Sequence, residues 1–313
     1  MFWSGVDLGG TNIKVGLVSE EGTLLRSVTE KTKVQDGYEM ILEQIIGMVR
    51  SLAASHRISM TSIAGIGAGV PGTTSPEGVV YFANNLHWQE RPFQQDLEQM
   101  LNRPVFVEND ASMAAMGELC CGSLKGVTNG ILITLGTGLG TGLVIHGDVF
   151  SGSHGLGRQA GHIKVGNNFY DCTCGGNGCL ETFTSATALV RYYIHRRDQM
   201  NHVNSEEILY QPTAREIMEA AAAGNSLAVE AFTRLVHYLG IGIANLINTL
   251  DPEVIALGGG LSKAGNQLLE PLQQSILKQL YDKKRFYTHI VLATLENEAG
   301  MVGGAMFARR KLN

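Results

Sequence analysis

A carboxylate and a carboxamide stand side by side at Asn109-Asp110, where a short apolar strand, residues 104–108, meets a helical segment, residues 112–119. Side chains at such a junction can point into a cleft, so Asp110 is a candidate for chemistry and Asn109 for holding a polar substrate. An aspartate in front of a helix is also a common N-cap, in which its oxygen accepts a backbone N–H of the first turn. These residues alone leave both interpretations open.

A glycine-rich loop joins two predicted strands near the N-terminus, with the sequence Asp7-Leu8-Gly9-Gly10-Thr11. Glycine frees backbone N–H groups to face an anion, and Thr11 can add a hydroxyl donor. Asp7 would repel a phosphate, but it could orient Mg²⁺ or the waters bound to it. The alternative for this loop is a tight type I′ turn with a capping aspartate.

A second glycine-rich loop spans residues 135–142 and offers the same backbone chemistry. Its spacing differs from G-x-G-x-x-G, and a strand rather than a helix follows it, which argues against an NAD-dependent oxidoreductase. The chain also lacks G-x-x-x-x-G-K-[ST], so it is not a P-loop enzyme. Two hairpin loops from two similar halves are better suited to binding one nucleoside triphosphate.

Three of the five cysteines fall in one short segment, and a histidine precedes them. Three thiolates and one imidazole make a complete tetrahedral Zn²⁺ set with no open position, which is typical of a structural site. The alternative is a disulfide, which a reducing compartment disfavours. The predicted ligands are His162, Cys172, Cys174 and Cys179, whereas Cys120 and Cys121 are expected to be core thiols.

The hydrophobic pattern predicts two similar βββαβαβα halves. Strands at 3–7, 13–18 and 24–29 form a meander, and apolar residues from Met40 to Leu52 recur at helical spacing. The other predicted elements are strands at 63–69, 104–108, 131–135, 143–146, 254–257 and 290–293, and helices at 93–101, 112–119, 186–199, 213–223, 227–250, 265–281 and 299–310. We predict an α/β protein with a central cleft, a small domain of residues 1–118 plus 299–313, and a large domain of residues 119–298.

The composition excludes several classes of protein. The chain has 313 residues, 44% of them hydrophobic, which is enough for two domains with hydrophobic cores. Its net charge is -5. The longest basic cluster is 283–285, so we expect no nucleic acid partner. Apolar runs fall short of the roughly 20 residues of a membrane span. The N-terminus does not read as a signal peptide, so we expect a cytoplasmic protein.

Short motifs follow one another along nearly the whole chain: Asp7–Thr11, Gly69–Gly72, Asn84–Leu86, Glu108–Ala111, Gly136–Gly138, Gly161-His162, Cys172–Glu181 and Leu257–Gly260. Each is short, but the ordered set closely resembles the ROK family of bacterial sugar kinases. That family lies within the hexokinase/actin-like ATPase superfamily, with its ribonuclease H-like domains. The resemblance implies ATP-dependent phosphorylation of a hexose, usually on the 6-hydroxyl, with glucose as the first expectation.

The resemblance also implies residue roles. Asp110 would be the general base that takes the proton of the attacking sugar hydroxyl. The implied sugar contacts are Gly72, Asn85, Asn109, Gln159, His162 and Glu181. The implied contacts to ATP and its Mg²⁺ are Asp7, Gly9, Gly10, Thr11, Lys14, Gly136, Thr137, Gly138, Gly259 and Gly260. Zinc on the cysteine segment and a homodimer are expected as well.

Two positions depart from the family pattern. Gln159 stands where Gly-Glu-x-Gly-His has its glutamate, and Ser112 stands where asparagine is frequent. An amide cannot accept at both ends as a carboxylate does, which leaves the sugar open among glucose, mannose, allose, N-acetylglucosamine and N-acetylmannosamine. A sugar-sensing protein with weakened catalysis is the alternative function, and polyphosphate is the alternative donor. The first strand begins so early that we expect no DNA-binding winged helix.

Overall fold

The computed structural model describes residues 1–200 and 210–313, and these divide into two compact units. The first unit comprises residues 1–132, 142–158 and 293–313, and the second comprises residues 133–141 and 159–292. This division assigns 119–132, 142–158 and 293–298 to the first unit, whereas the sequence-based boundary assigns them to the large domain. The boundary predicted from the sequence stays a prediction.

The elements are numbered in chain order. The strands are β1 (Phe2–Leu8), β2 (Asn12–Ser19), β3 (Leu24–Lys31), β4 (Ile63–Val70), β5 (Thr73–Thr74), β6 (Val80–Ala83), β7 (Trp88–Arg91), β8 (Val105–Asn109), β9 (Gly130–Leu135), β10 (Leu139–Ile145), β11 (Asp148–Phe150), β12 (Val254–Gly258) and β13 (His289–Leu292). The helices are α1 (Tyr38–Ser55), α2 (Phe93–Leu101), α3 (Asp110–Cys121), α4 (Glu181–Thr184), α5 (Ala186–Met200), α6 (Ala214–Ala222), α7 (Ser226–Leu250), α8 (Asn266–Gln279) and α9 (Ala299–Leu312).

Two five-stranded sheets have the same strand order. The first is β3-β2-β1-β4-β8, and the second is β11-β10-β9-β12-β13. In the first sheet β1 runs antiparallel to β2 and parallel to β4, which in turn is parallel to β8. In the second sheet β10 and β11 are antiparallel and β12 and β13 are parallel. The predicted α/β class with two similar sheet-containing domains is confirmed.

A third, three-stranded sheet of order β5-β6-β7 was not predicted. Its strands have two to four residues, too few to show the alternation by which strands are recognised. Trp88 joins it to the helices of the first unit: its ring lies 4.9 Å from Tyr38 and 5.1 Å from Phe93 between centroids. A short aromatic cluster therefore anchors this sheet.

Helix α9 packs on α3 and on the first sheet at backbone distance. A Cβ atom added to Gly303 would lie 1.6 Å from the carbonyl oxygen of Met113, and one added to Gly67 would lie 1.8 Å from that of Gly304. No side chain fits in such a gap, so glycine is required where this helix crosses α3 and β4. The close contact fixes α3, whose first residue is Asp110, against the sheet.

Helix α7 is the long apolar helix of the second unit. Among the described residues it alone is long and apolar enough to cross a membrane by length and composition, and 50% of its most apolar window is buried in the fold. It packs against α8, α6 and α5. Core helices of globular proteins pass the same test, so this finding is weak evidence for a membrane span.

Candidate active site

Asn109, not Asp110, is the N-cap of α3. Its Oδ1 accepts the backbone N–H of Ala111 at 3.0 Å and of Ser112 at 3.3 Å, and its Nδ2 donates to the carbonyl oxygen of Gly72 at 3.0 Å. The N-cap explanation of Asp110 is therefore wrong, because the neighbouring amide fills that role. Asn109 is buried, and its side chain also forms a hydrogen bond to Asp110 that lowers the pKa of that carboxyl.

Asp110 is the first residue of α3 and is partly buried. Burial and, less strongly, the charge of Asp7 together raise the pKa of Asp110 to about 6, against the opposing effects of the Ala111 backbone N–H and the Arg158 guanidinium. Its Oδ1 accepts that N–H at 2.8 Å. A carboxyl group that titrates near neutral pH is well suited to take a proton, and perturbed carboxyls cluster at functional sites.

Arg158 is the residue of this region that sequence reasoning missed. Its side chain is buried, and its Nη2 lies 3.0 Å from Oε1 of Glu108. Burial lowers the pKa of Arg158, and the charges of Glu108 and Asp110 oppose that change. A signal existed in the sequence, since an arginine stands directly before Gln159 in the segment that leads to the predicted ligand His162.

The first glycine loop lies between β1 and β2. Asp7 and Lys14 are opposite one another in the ladder, and Lys14 Nζ donates to Asp7 Oδ2 at 2.9 Å. The N–H of Gly9 donates to the carbonyl oxygen of Asn12 at 2.9 Å and closes the loop. Neither Gly9 nor Gly10 has a positive φ, so the type I′ turn is wrong. Thr11, which lies between Gly10 and the start of β2, is exposed.

Gly10 is held instead by close approach to the predicted sugar contact Asn85. A Cβ atom on Gly10 would lie 3.0 Å from the Cβ of Asn85, which is exposed on a short 3₁₀ turn, Asn84–Leu86. Gly72, the partner of Asn109, has a φ of 110°, and a Cβ there would lie 2.1 Å from the carbonyl oxygen of Phe82. Glycine is therefore required at position 72, whereas a side chain at position 10 would need Asn85 to give way by a few tenths of an ångström.

In the second unit, the glycine loop is shorter than the sequence suggested. Strand β10 begins at Leu139 rather than at residue 143, which leaves Gly136-Thr137-Gly138 as the turn. The Gly136 N–H donates to the carbonyl oxygen of Gly138 at 3.0 Å. Thr137 is exposed at the tip. Alternating glycines look like a loop in sequence but fit an extended strand as well.

Glu181 fixes this loop from the side of the cysteine segment. Its Oε2 accepts the N–H of Leu139 at 2.9 Å, and its Oε1 lies 3.9 Å from the sulfur of Cys172. Gly259, with a φ of 85°, packs on the end of β9, where a Cβ would lie 2.5 Å from the carbonyl oxygen of Leu135. Gly260 follows with open space around it. Glycine turns and a carboxylate thus meet at one end of the second sheet.

The predicted zinc ligands form one cluster. The ligand atoms of His162, Cys172, Cys174 and Cys179 all lie within 4.8 Å of one another. Nδ1 of His162 is 3.7 Å from the sulfur of Cys172, and the sulfurs of Cys174 and Cys179 are 3.6 Å apart. Ligands about 2.3 Å from a tetrahedral Zn²⁺ are about 3.8 Å apart, so the cluster fits this ion.

Lys164 lies beside this cluster and supplies a positive charge to it. Its Nζ donates to the sulfur of Cys179 at 2.9 Å, and this bond raises the pKa of Lys164.

Gln159 is exposed in the turn that leads to His162, and its backbone carbonyl oxygen accepts the N–H of His162 at 3.0 Å. The roles proposed for Gln159 and His162 toward a sugar stay predictions.

Comparison with known proteins assigns the chain to a family. The ROK family model matches residues 3–311. The glucokinase of Halalkalibacterium halodurans is 36% identical over 319 residues, which cover 100% of this chain and 96% of the relative. A ROK family glucokinase from Streptomyces griseus, solved in complex with glucose and AMPPNP, is 34% identical with a TM-score of 0.83, over 99% of this chain and 100% of that chain. The ROK hexokinase from Thermus thermophilus is 29% identical with a TM-score of 0.83, over 100% of this chain and 99% of that one. The chain belongs to the ROK family.

Proposed function

We propose that this protein transfers the γ-phosphoryl group of ATP to a hexose, with the 6-hydroxyl of glucose as the acceptor and Asp110 as the general base. The observation that carries the proposal is Asp110 itself, a partly buried carboxyl at the start of α3 with a pKa raised to about 6. Similarity to glucokinases over the full length supports the same activity.

The chemistry requires one proton transfer and one in-line displacement. Asp110 takes the proton of the sugar hydroxyl while the hydroxyl oxygen of the sugar bonds to the γ-phosphorus. The bond from that phosphorus to the β,γ-bridging oxygen breaks and ADP is released. The backbone N–H groups of Gly9, Gly10 and Gly136–Gly138 are suited to the phosphates. Mg²⁺ bound with the nucleotide would neutralise phosphate charge, and Asp7 and Lys14 would orient it and the phosphates.

Positioning of the sugar is assigned, on the family resemblance, to six residues: Gly72, Asn85, Asn109, Gln159, His162 and Glu181. Support within each unit comes from the bond between Asn109 and Gly72 and from the bond between Glu181 and the glycine loop at Leu139. Groups held in place by such bonds are pre-organised for a ligand, which lowers the cost of binding.

Zinc belongs to the proposal as a structural ion held by His162, Cys172, Cys174 and Cys179. The four-ligand set and its spacing support this assignment. The ion would order the segment that carries His162 and Glu181, and thereby their approach to the sugar. A homodimer located in the cytoplasm is also proposed, on the strength of the family resemblance.

Gln159 is the observation that favours a second substrate. An amide gives up one acceptor but gains an N–H that can meet a carbonyl or a hydroxyl oxygen, so the substrate is expected to differ from glucose near the hydroxyls that this position touches, or glucose to bind weakly. Loss of catalysis does not follow, because Asp110 and the glycine loops are intact.

Release of ADP, measured by a coupled assay, tests the activity and the sugar together. The panel contains glucose, mannose, allose, N-acetylglucosamine and N-acetylmannosamine, each with ATP and, separately, with polyphosphate and direct detection of the sugar phosphate. Turnover highest for glucose with ATP is expected. Binding of a sugar without turnover by any donor would instead support a sugar-sensing protein.

A further inference from the structure

Glu108, two residues before the proposed base Asp110, contacts both ends of the loop of residues 151–158. Its Oε2 accepts the hydroxyl of Ser151 at 2.6 Å, and its Oε1 lies 3.0 Å from Nη2 of Arg158. Oε1 also accepts the hydroxyl of Thr74 at 3.2 Å. The loop of residues 151–158 is thus tied at its first and last residue to the end of β8, the strand that delivers Asp110.

Arg158 is 2% exposed, so its charge is held away from water. Removing a guanidinium from water costs several kcal/mol, and a buried ion pair regains at most about that amount. Such a pair is therefore poor evidence of a gain in stability, and a role in fixing geometry or charge is the better explanation. The planar fork of arginine fits a carboxylate in a way that lysine does not.

The clamped loop leads straight into the segment proposed to contact the sugar. The N–H of Gly157 donates to the carbonyl oxygen of Ser151 at 2.9 Å, which closes the loop on itself. Gly155 is buried, and a Cβ there would lie 2.3 Å from the carbonyl oxygen of Thr74. Gln159 follows Arg158 directly in the chain, so the arginine fixes the point from which that segment starts.

We propose that Arg158 is a positioning residue for phosphoryl transfer: paired with Glu108, it fixes the end of β8 that carries Asp110 and the loop 151–158, and it holds a positive charge beside Asp110. This inference rests on the proposed function, in which Asp110 is the base. It adds a residue that neither contacts the phosphates nor takes the proton, and that acts through Glu108 and Asp110.

The charges that face Asp110 set the direction of the effect. Asp7 on β1 disfavours ionised Asp110, although Lys14 pairs with Asp7 and offsets part of its charge. Arg158 favours the ionised form, as do the N–H of Ala111 and the side chain of Asn109. Loss of the Arg158 charge should therefore raise the pKa of Asp110 and shift the acid limb of the rate profile to higher pH.

The first experiment compares pH profiles of kcat from pH 5 to 9 for the wild type, Arg158→Met and Arg158→Lys. Arg158→Met should shift the acid limb upward by about one pH unit, which alone lowers kcat about fivefold at pH 6. Arg158→Lys should keep the position of the limb and lose rate through geometry. The KM for ATP should change little in both variants.

Glu118→Gln is the matched control. Glu118 is a fully buried carboxylate on the same helix as Asp110, and it accepts N–H groups of Ser123, Thr294 and Leu295. Its amide variant should lower the melting temperature and leave the acid limb in place. If Arg158→Met behaves like this control, with lower stability and an unshifted limb, the arginine is merely structural and the inference is overturned.

A second readout does not need turnover. The ¹³C signal of the Asp110 carboxyl, assigned by its loss in Asp110→Asn, is titrated in the wild type and in Arg158→Met. A higher pKa in Arg158→Met supports the inference, and equal pKa values overturn it. The proposed function fails separately, when the wild type shows no sugar-dependent release of ADP or Asp110→Asn keeps its kcat, whatever Arg158 does.

Discussion

Asp110→Asn is expected to stabilise the fold at neutral pH while it removes catalysis. Burial raises the pKa of Asp110 from 3.8 to about 6, so the folded protein disfavours the ionised carboxylate. The stability that the protonated form contributes is complete below pH 4 and is lost as the pH rises through about 6. At pH 7 the enzyme carries the full cost of the charged side chain that the chemistry requires.

The size of this cost follows from the difference in pKa. A rise from 3.8 to about 6 corresponds to about 3 kcal/mol. Solvent reaches the partly buried side chain and screens part of this effect, so about 1–2 kcal/mol is expected. Asparagine keeps an oxygen for the Ala111 N–H and has no charge to bury. Its melting temperature at pH 7 should exceed that of the wild type by roughly 2–5 °C.

Thermal unfolding of the two proteins at pH 4 and pH 7 measures this effect. The gain should be present at pH 7 and absent at pH 4, where Asp110 is protonated in the folded protein. Asp36→Asn, which changes an exposed aspartate of the first unit, serves as the control and should show no such gain. A destabilising charge on Asp110 is contradicted if Asp110→Asn is no more stable than the wild type at pH 7, or if its gain is the same at both pH values.

Three further predictions concern the metal, the packing of α9 and the sugar. The purified protein should hold about one Zn²⁺ per chain by elemental analysis, and Cys174→Ser should lose the metal and have a lower melting temperature. A Cys174→Ser variant that keeps its zinc would contradict the assignment of Cys174 as a ligand. Gly303→Ala should lower the free energy of unfolding by about 3 kcal/mol in urea titration, because its Cβ would lie 1.6 Å from the Met113 oxygen. Gly47→Ala, where a Cβ meets open space, is the control. Gln159→Glu should raise kcat/KM for glucose ~10-fold, about 1.4 kcal/mol, and an unchanged sugar profile would remove Gln159 from the site.

Long periodic segments were predicted well from the sequence. Helix α2 has the bounds that were predicted, and α7 differs by one residue at its start, because apolar spacing and the Asp251-Pro252 stop are local signals. Strand β10 was predicted to begin late, since its glycines resemble a loop. The sheet β5-β6-β7 was missed, because strands this short carry no periodic pattern.

The candidate site was predictable as a list of residue types but not as a set of contacts. Motifs located Asp110. They also located the four metal-binding candidates, His162, Cys172, Cys174 and Cys179, which the fold brings together in one cluster. The N-cap role of Asn109 depends on the φ and ψ of one residue, and sequence reasoning considered Asp110 in its place. The pair of Glu108 and Arg158 joins positions far apart in the chain, and no local pattern reveals such a contact.

Release of ADP with glucose and ATP at pH 8, compared between the wild type and Asp110→Asn, tests whether Asp110 is the base of a glucose kinase. The wild type should show steady glucose-dependent turnover. The variant should still bind glucose but lose at least ~10² in kcat, because an amide cannot take the proton of the attacking hydroxyl. A kcat close to that of the wild type in Asp110→Asn would contradict the assignment of Asp110 as the base.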